Sequence, residues 1–135
     1  SLYAQGENLH IAVWPGSEHN TKDITRFIAR ESRSFVVSVS SVMTTKDFPE
    51  DTPFLNDILK NAPTQLSNGG SAIAGPDGEF LLEPIINKEG IIYKTIDFKS
   101  VYKERQNFDP EGHYSRPDVL QLTVNQSRLN NIKLK

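Results

Sequence analysis

The chain has no cysteine. That excludes a disulfide framework and any thiolate metal site. Its three histidines, His10, His19 and His113, show no metal-ligand spacing. No apolar run approaches the ~20 residues needed to cross a membrane, and no signal-peptide pattern opens the chain. An excess of one charge is also missing. Fifteen basic and 17 acidic residues are well mixed and leave a formal net charge of −2, so no nucleic-acid-binding field is expected. Hydrophobic residues make up 36%, below the roughly 45–50% usual in globular chains, a figure that counts Gly and omits Tyr. The expected core is thin, which suits a unit that completes its core against something else. The length of 135 residues implies one domain, with a cytoplasmic location as the prior. The first residue is Ser1, not Met, and residues 1–8 read as the end of a helix with Gly6 near its C-terminus. A chain that continues upstream is therefore expected.

The most structured stretch is LHIAVWPGS, residues 9–17. Leu9, Ile11, Val13 and Trp14 form a short apolar run that Pro15 and Gly16 stop, as a buried strand feeding a loop would. Asn20 is the expected N-cap of the following helix, with Asp23 favouring its N-terminus. Ile24, Phe27 and Ile28 recur at helical spacing and mark the expected core-facing stripe. From Phe35 the pattern FVVSVSSV is β-branched and partly alternating, a second strand. Strand, loop, helix and strand within about 35 residues make a βαβ unit, with parallel pairing and helices over the sheet. Ligands in such units tend to sit at the carboxyl ends of strands, which points to Trp14 through His19.

Residues 43–67 read as a surface excursion divided by Pro49, Pro53 and Pro63, with a short helix over 54–61. Gly69, Gly70 and Ser71 open a strand, Pro76-Asp77-Gly78 turns the chain, and residues 79–84 return as a hairpin. No P-loop lysine follows the two glycines, so close backbone packing explains them better than phosphate binding. A further strand is expected over 91–97, a helix over 98–106 and a last strand over 119–124. Residues 129–135 form a polar, basic tail.

Several of these segments carry a resemblance. LYAQGENLHIAVWPGS, DITRFIARESRSFVVSVSSV, GGSAIAGPDGEFLLEP, EGIIYKTIDF, ERQNFDPEGHYSRPDV and LTVN follow one another as in the nitrilase branch of the carbon–nitrogen hydrolase superfamily. The chain resembles the part of such an enzyme just downstream of its nucleophilic cysteine. The resemblance implies an α/β fold, the C-terminal part of the nitrilase-type α-β-β-α sandwich, over residues 1–128. It also implies an assembly of at least a homodimer, or a longer spiral, and a small-molecule nitrile substrate. No cofactor, nucleic acid or membrane is implied. In the family a cysteine thiolate attacks the nitrile carbon to give a thioimidate, with a glutamate as general base and a lysine stabilising charge. Water then releases a carboxylic acid and ammonia. All three family residues are expected upstream of Ser1, because Lys22, Lys46 and Lys94 do not occupy the matching motif and neither does any Glu. The catalytic set in this chain is empty, and the chain alone is expected to be inactive.

The candidate substrate-pocket residues are Trp14, Pro15, Gly16, Ser17, Glu18 and His19. Core packing of Trp14 and a solvated His19 is the plain alternative. Arg30, Glu31 and Arg33 match charged helix positions of the family, with Glu31 expected as a structural partner and not a base. Asp109, His113 and Ser115 are hydrolase residue types, but they crowd one Pro/Gly-broken segment, whereas triads converge from separate elements. Anchoring of the last strand by His113, Tyr114, Arg116 and Asp118 is the expectation there. Two rivals stand beside the nitrilase reading. One is an amidase-type carbon–nitrogen hydrolase, and the other is a noncatalytic remnant that binds or assembles.

Overall fold

The computed structural model describes residues 3–125. A short 3-10 turn, Tyr3–Gln5, leads through Gly6 into β1, Leu9–Trp14. Helix α1, Glu18–Ser32, and strand β2, Phe35–Ser40, complete the expected βαβ unit. β1 and β2 pair in parallel, with Leu9 opposite Phe35 and Trp14 opposite Ser40. The helix begins ahead of Asn20. Ser17 is the extended N-cap residue, and the Asn20 N–H already donates to the Ser17 carbonyl at 3.0 Å. Arg33 ends the helix in the left-handed region at φ 53, its N–H donating to the Ala29 carbonyl.

The sheet continues with β3, Val42–Thr44, β4, Gln65–Ala74, and β5, Phe80–Ile86. β4 is antiparallel to β2, β3 and β5. Val36 lies opposite Ala74 and Val42 opposite Asn68 in a single register. β2 and β3 are therefore consecutive parts of one ribbon along β4, interrupted at Ser41. The expected hairpin turn is present, with the Gly75 N–H donating to the Glu79 carbonyl at 2.8 Å. The excursion expected over 43–67 is narrower than the sequence suggested. Both of its ends belong to the sheet, and only its middle leaves it, carrying α2, Leu55–Asn61. Strand β4 also starts at Gln65, ahead of Gly69. Gln65, Ser67 and Asn68 lack strand-like side chains, and their partners on β3 supply the pairing instead.

The two faces of the sheet differ. α1 covers one face, where Ala12, Ala29, Val36 and Ala74 form the core, and Trp14, Ile28 and Phe80 pack against it. The helix presents Thr21, Thr25, Ala29 and Ser32 to the sheet. The expected stripe is thus corrected. Ile28 is half-buried, but Ile24 is exposed and Phe27 is 62% exposed. Small side chains let the helix lie close, and their hydroxyls are satisfied locally. Thr25 donates to the Thr21 carbonyl and Ser32 to the Ile28 carbonyl, both at 2.7 Å. On the opposite face Ile11 is 56% and Val13 is 77% exposed.

Helix α3, Lys99–Asn107, covers the end of that second face nearest the start of β2. Phe98 meets Phe35 edge-on at 5.8 Å, and Val101 is fully buried. Arg105 reaches back to Asn8 Oδ1 at 3.1 Å and to the Glu7 carbonyl. The strands expected over 91–97 and 119–124 are not formed. Tyr93 is 88% exposed and Leu120 is 79% exposed, and neither segment enters a ladder. Alternation gives a segment the faces of a strand, but a ladder also needs a neighbour's N–H and C=O groups. Among the described residues none is offered there. The tail over 129–135 lies outside the described residues.

Candidate functional site

β1 ends at Trp14, whose side chain packs against the core beneath α1. Its Nε1 is buried without a hydrogen-bond partner among the described residues, as are the Ser38 and Ser40 hydroxyls. Trp14 and Ser40 are register partners, and Ser38 lies two residues earlier along β2. These three polar atoms therefore share one patch on the helix-covered face of β1 and β2, toward their carboxyl ends. Beyond Trp14 the chain turns over β4. Pro15 and His19 are exposed, while Gly16, Ser17 and Glu18 are half-buried. The Glu18 carboxylate pairs with Lys22 at 3.6 Å, one turn along α1.

The recess at the carboxyl end of β2 includes none of these six residues. It measures 330 Å³ and is bounded by Ser40, Ser41, Ser71, Lys88, Glu89 and Ile92, among others. Sequence reasoning did not single out Lys88 and Glu89 as site residues. Their position depends on β5 ending beside β4, and no local pattern announces that.

The other candidates are dispersed. Glu31 accepts a hydrogen bond from the Tyr3 hydroxyl at 2.7 Å. Burial, followed by that carboxylate, pushes the Tyr3 phenol above its ordinary value. Arg33 pairs with Glu104 at 3.5 Å and stacks its guanidinium 5.5 Å from the Phe108 ring centre. Arg30 is exposed, its stem against Gly78, where an added Cβ would come within 2.9 Å. His113 is exposed beside the Tyr114 ring at 4.5 Å. Asp109 and Ser115 belong to the same succession of turns, through the Tyr114 N–H to the Asp109 carbonyl and the Ser115 N–H to the Gly112 carbonyl. Arg116 grips Asp118 with two hydrogen bonds, at 2.8 and 2.7 Å. That pair is local and solvent-facing, and it anchors no strand. Among the described residues no group of three or more His, Cys, Asp or Glu is placed to hold a metal ion. No described helix is long and apolar enough to cross a membrane.

The glycines of β4 show why the sequence needs them. Gly69 and Gly70 sit at φ +89 and +113, and a Cβ on Gly70 would lie 2.8 Å from Glu18 Cα. Close backbone approach, not ligand binding, accounts for them.

This architecture has known counterparts. The carbon–nitrogen hydrolase family profile matches residues 1–106. The chain belongs to the carbon–nitrogen hydrolase family. An aliphatic nitrilase of Rhodococcus rhodochrous is 37% identical over 93% of the chain and 37% of its own length. An arylacetonitrilase of Aspergillus niger is 36% identical over 90% of the chain and 40% of its own length. Nitrilase 2 of Arabidopsis thaliana is 37% identical over 93% of the chain and 38% of its own length. The chain thus spans about two fifths of these curated relatives. A carbon–nitrogen hydrolase from Helicobacter pylori superposes with a TM-score of 0.60 at 20% identity, over 86% of this chain and 40% of that one. That likeness establishes the α/β fold and nothing finer.

Proposed function

We propose that this chain is the C-terminal part of a nitrilase, a hydrolase that converts a nitrile and two waters to a carboxylic acid and ammonia. The observation that carries the reading is the identity of 36–37% to three proteins named as nitrilases, over at least 90% of the chain. The open sheet face supports it. Ile11 and Val13 lie in water, and residues 91–97 and 119–124 keep strand-like alternation without a ladder. Both features fit a sheet that other parts of the same enzyme complete.

In this reading the nucleophilic cysteine, the glutamate base and the charge-stabilising lysine come from segments other than residues 1–135. The thiolate adds to the nitrile carbon, a C–S bond forms, and a π electron pair moves to nitrogen, which takes up a proton. Water attacks the resulting thioimidate, ammonia leaves, and a second water releases the acid and restores the thiol. The loop Trp14–His19, at the carboxyl end of β1, forms part of the pocket wall. Glu31 and Arg33 hold structure through Tyr3 and Glu104, and Phe27 on the outer side of α1 supports assembly into a homodimer or a longer spiral. A cytoplasmic enzyme is part of the same proposal.

Ammonia release from simple nitriles is the test. The gene product as its source cell makes it should release ammonia and acid, and alkylation of a thiol should abolish this. The 135-residue chain by itself should release none. Ammonia from amides but not from nitriles would move the assignment to an amidase-type hydrolase. No release from either, with no titratable thiol, would leave a binding or assembly module, which the cysteine-free sequence also suits.

A further inference from the structure

The loop between β1 and α1 is held by β4 as well as by its own turn. Ser67, buried on β4, places its Oγ 3.1 Å from the Gly16 carbonyl oxygen and 2.7 Å from that of Ser41. The Asn68 N–H donates to Ser17 Oγ at 3.2 Å, and Asn68 Oδ1 accepts the Glu18 N–H at 2.9 Å. An N-cap serine ordinarily accepts from a helix N–H two or three residues on. Here Ser17 turns to β4 instead, and a residue 50 positions away satisfies the first orphan donor of α1. The bond to the Glu18 N–H also fixes the amide orientation of Asn68, since only its oxygen accepts. Gly70, one strand period further, removes the side chain that would push α1 away.

We infer that Ser67 and Asn68 are positioning residues that set the height of the Trp14–His19 loop and thereby which nitriles the pocket accepts. The inference rests on the pocket reading of that loop. Its chemistry is specific enough to separate from general stability. Aspartate at position 68 keeps the acceptor and adds a charge that a helix N-terminus favours. Alanine removes the acceptor and leaves the Glu18 N–H without it.

Two readouts separate the clasp from the reaction. The first is amide exchange at Glu18 in the 135-residue chain, followed by NMR. Asn68→Ala should speed it about tenfold relative to the rest of α1, while Asn68→Asp should stay within about twofold of the parent. The second is the ratio of kcat/KM for propionitrile and phenylacetonitrile in the natural gene product. Asn68→Ala should shift that ratio about threefold or more, mainly through KM, and Asn68→Asp should restore it. Unchanged Glu18 exchange in Asn68→Ala, or equal shifts of the ratio in Ala and Asp, would overturn the inference. If the parent enzyme releases ammonia from neither nitrile, the nitrilase reading fails, and the exchange readout alone decides the clasp. Should Asn68→Ala not fold, Ser17→Ala breaks the reciprocal bond. Faster exchange at the Asn68 amide would then support the clasp, and unchanged exchange would refute it.

Discussion

Beneath α1 the strands bury small residues, Ala12, Val36, Ser38 and Ala74, whereas the reverse face of the same strands holds Ile11 and Val13 in water. Hydrophobicity alone would order the faces the other way. The helix-covered side is chosen for close approach: Ala, Ser and Thr side chains, a left-handed glycine under the helix start, and hydroxyls bonded back to their own turn. The other side carries larger β-branched groups with nothing over most of it among the described residues. A sheet with one finished and one unfinished face is what part of a sandwich shows when its second layer lies elsewhere. Among the described residues the outer edge of β1 is also without a strand partner.

Charge placed on each face should break the comparison most sharply. Val36→Asp puts an unpaired carboxylate in the finished core and should cost more than about 4 kcal/mol, enough to abolish the cooperative urea transition. Val13→Asp should shift the transition of the 135-residue chain by no more than about 0.5 kcal/mol. Phe35, on the open side, is fully covered, by Phe98 and α3. Phe35→Ala should therefore behave like a core deletion and cost about 3–5 kcal/mol by chemical denaturation. Gly70→Ala tests the close approach of α1. The φ of +113 and the contact with Glu18 predict a loss of about 1–3 kcal/mol in the same assay.

The smallest effect lies outside both faces. The Thr44 backbone N–H and hydroxyl both donate to Asp47 Oδ2, at 2.6 and 3.0 Å, holding that carboxyl below its usual value. A group depressed in the folded state stabilises above its unfolded pKa of about 3.9, and the contribution is lost as pH falls through the folded value. Asp47→Asn should lower the neutral-pH denaturation midpoint slightly and converge with the parent as pH falls, which flattens the acid limb.

The βαβ unit was legible because its period changes twice, from the run ending at Trp14 to helical spacing and back at Phe35. The α2 segment and the Pro76–Gly78 turn were legible for the same local reason. The buried side of α1 was not, since Thr21, Thr25 and Ser32 are polar by type and become core only through their bonds to preceding carbonyls. Nor was the start of β4, whose Gln65, Ser67 and Asn68 are strand by partnership with β3. Residues 91–97 show the converse, a strand pattern without a strand. At the candidate site, the Pro-Gly stop after Trp14 marked the loop, but the residues that hold it come from β4, some 50 positions away. No sequence period spans that distance.

If the proposed function holds, the open face is an internal surface of a larger hydrolase. The chain has no cysteine of its own, so Val13→Cys installs a single thiol there. The decisive measurement is its alkylation rate, followed by peptide mass, in the 135-residue chain and in the gene product made by the source cell. Labelling should be rapid in the chain and slowed at least about tenfold in the natural protein. Equal rates in the two would contradict an internal face.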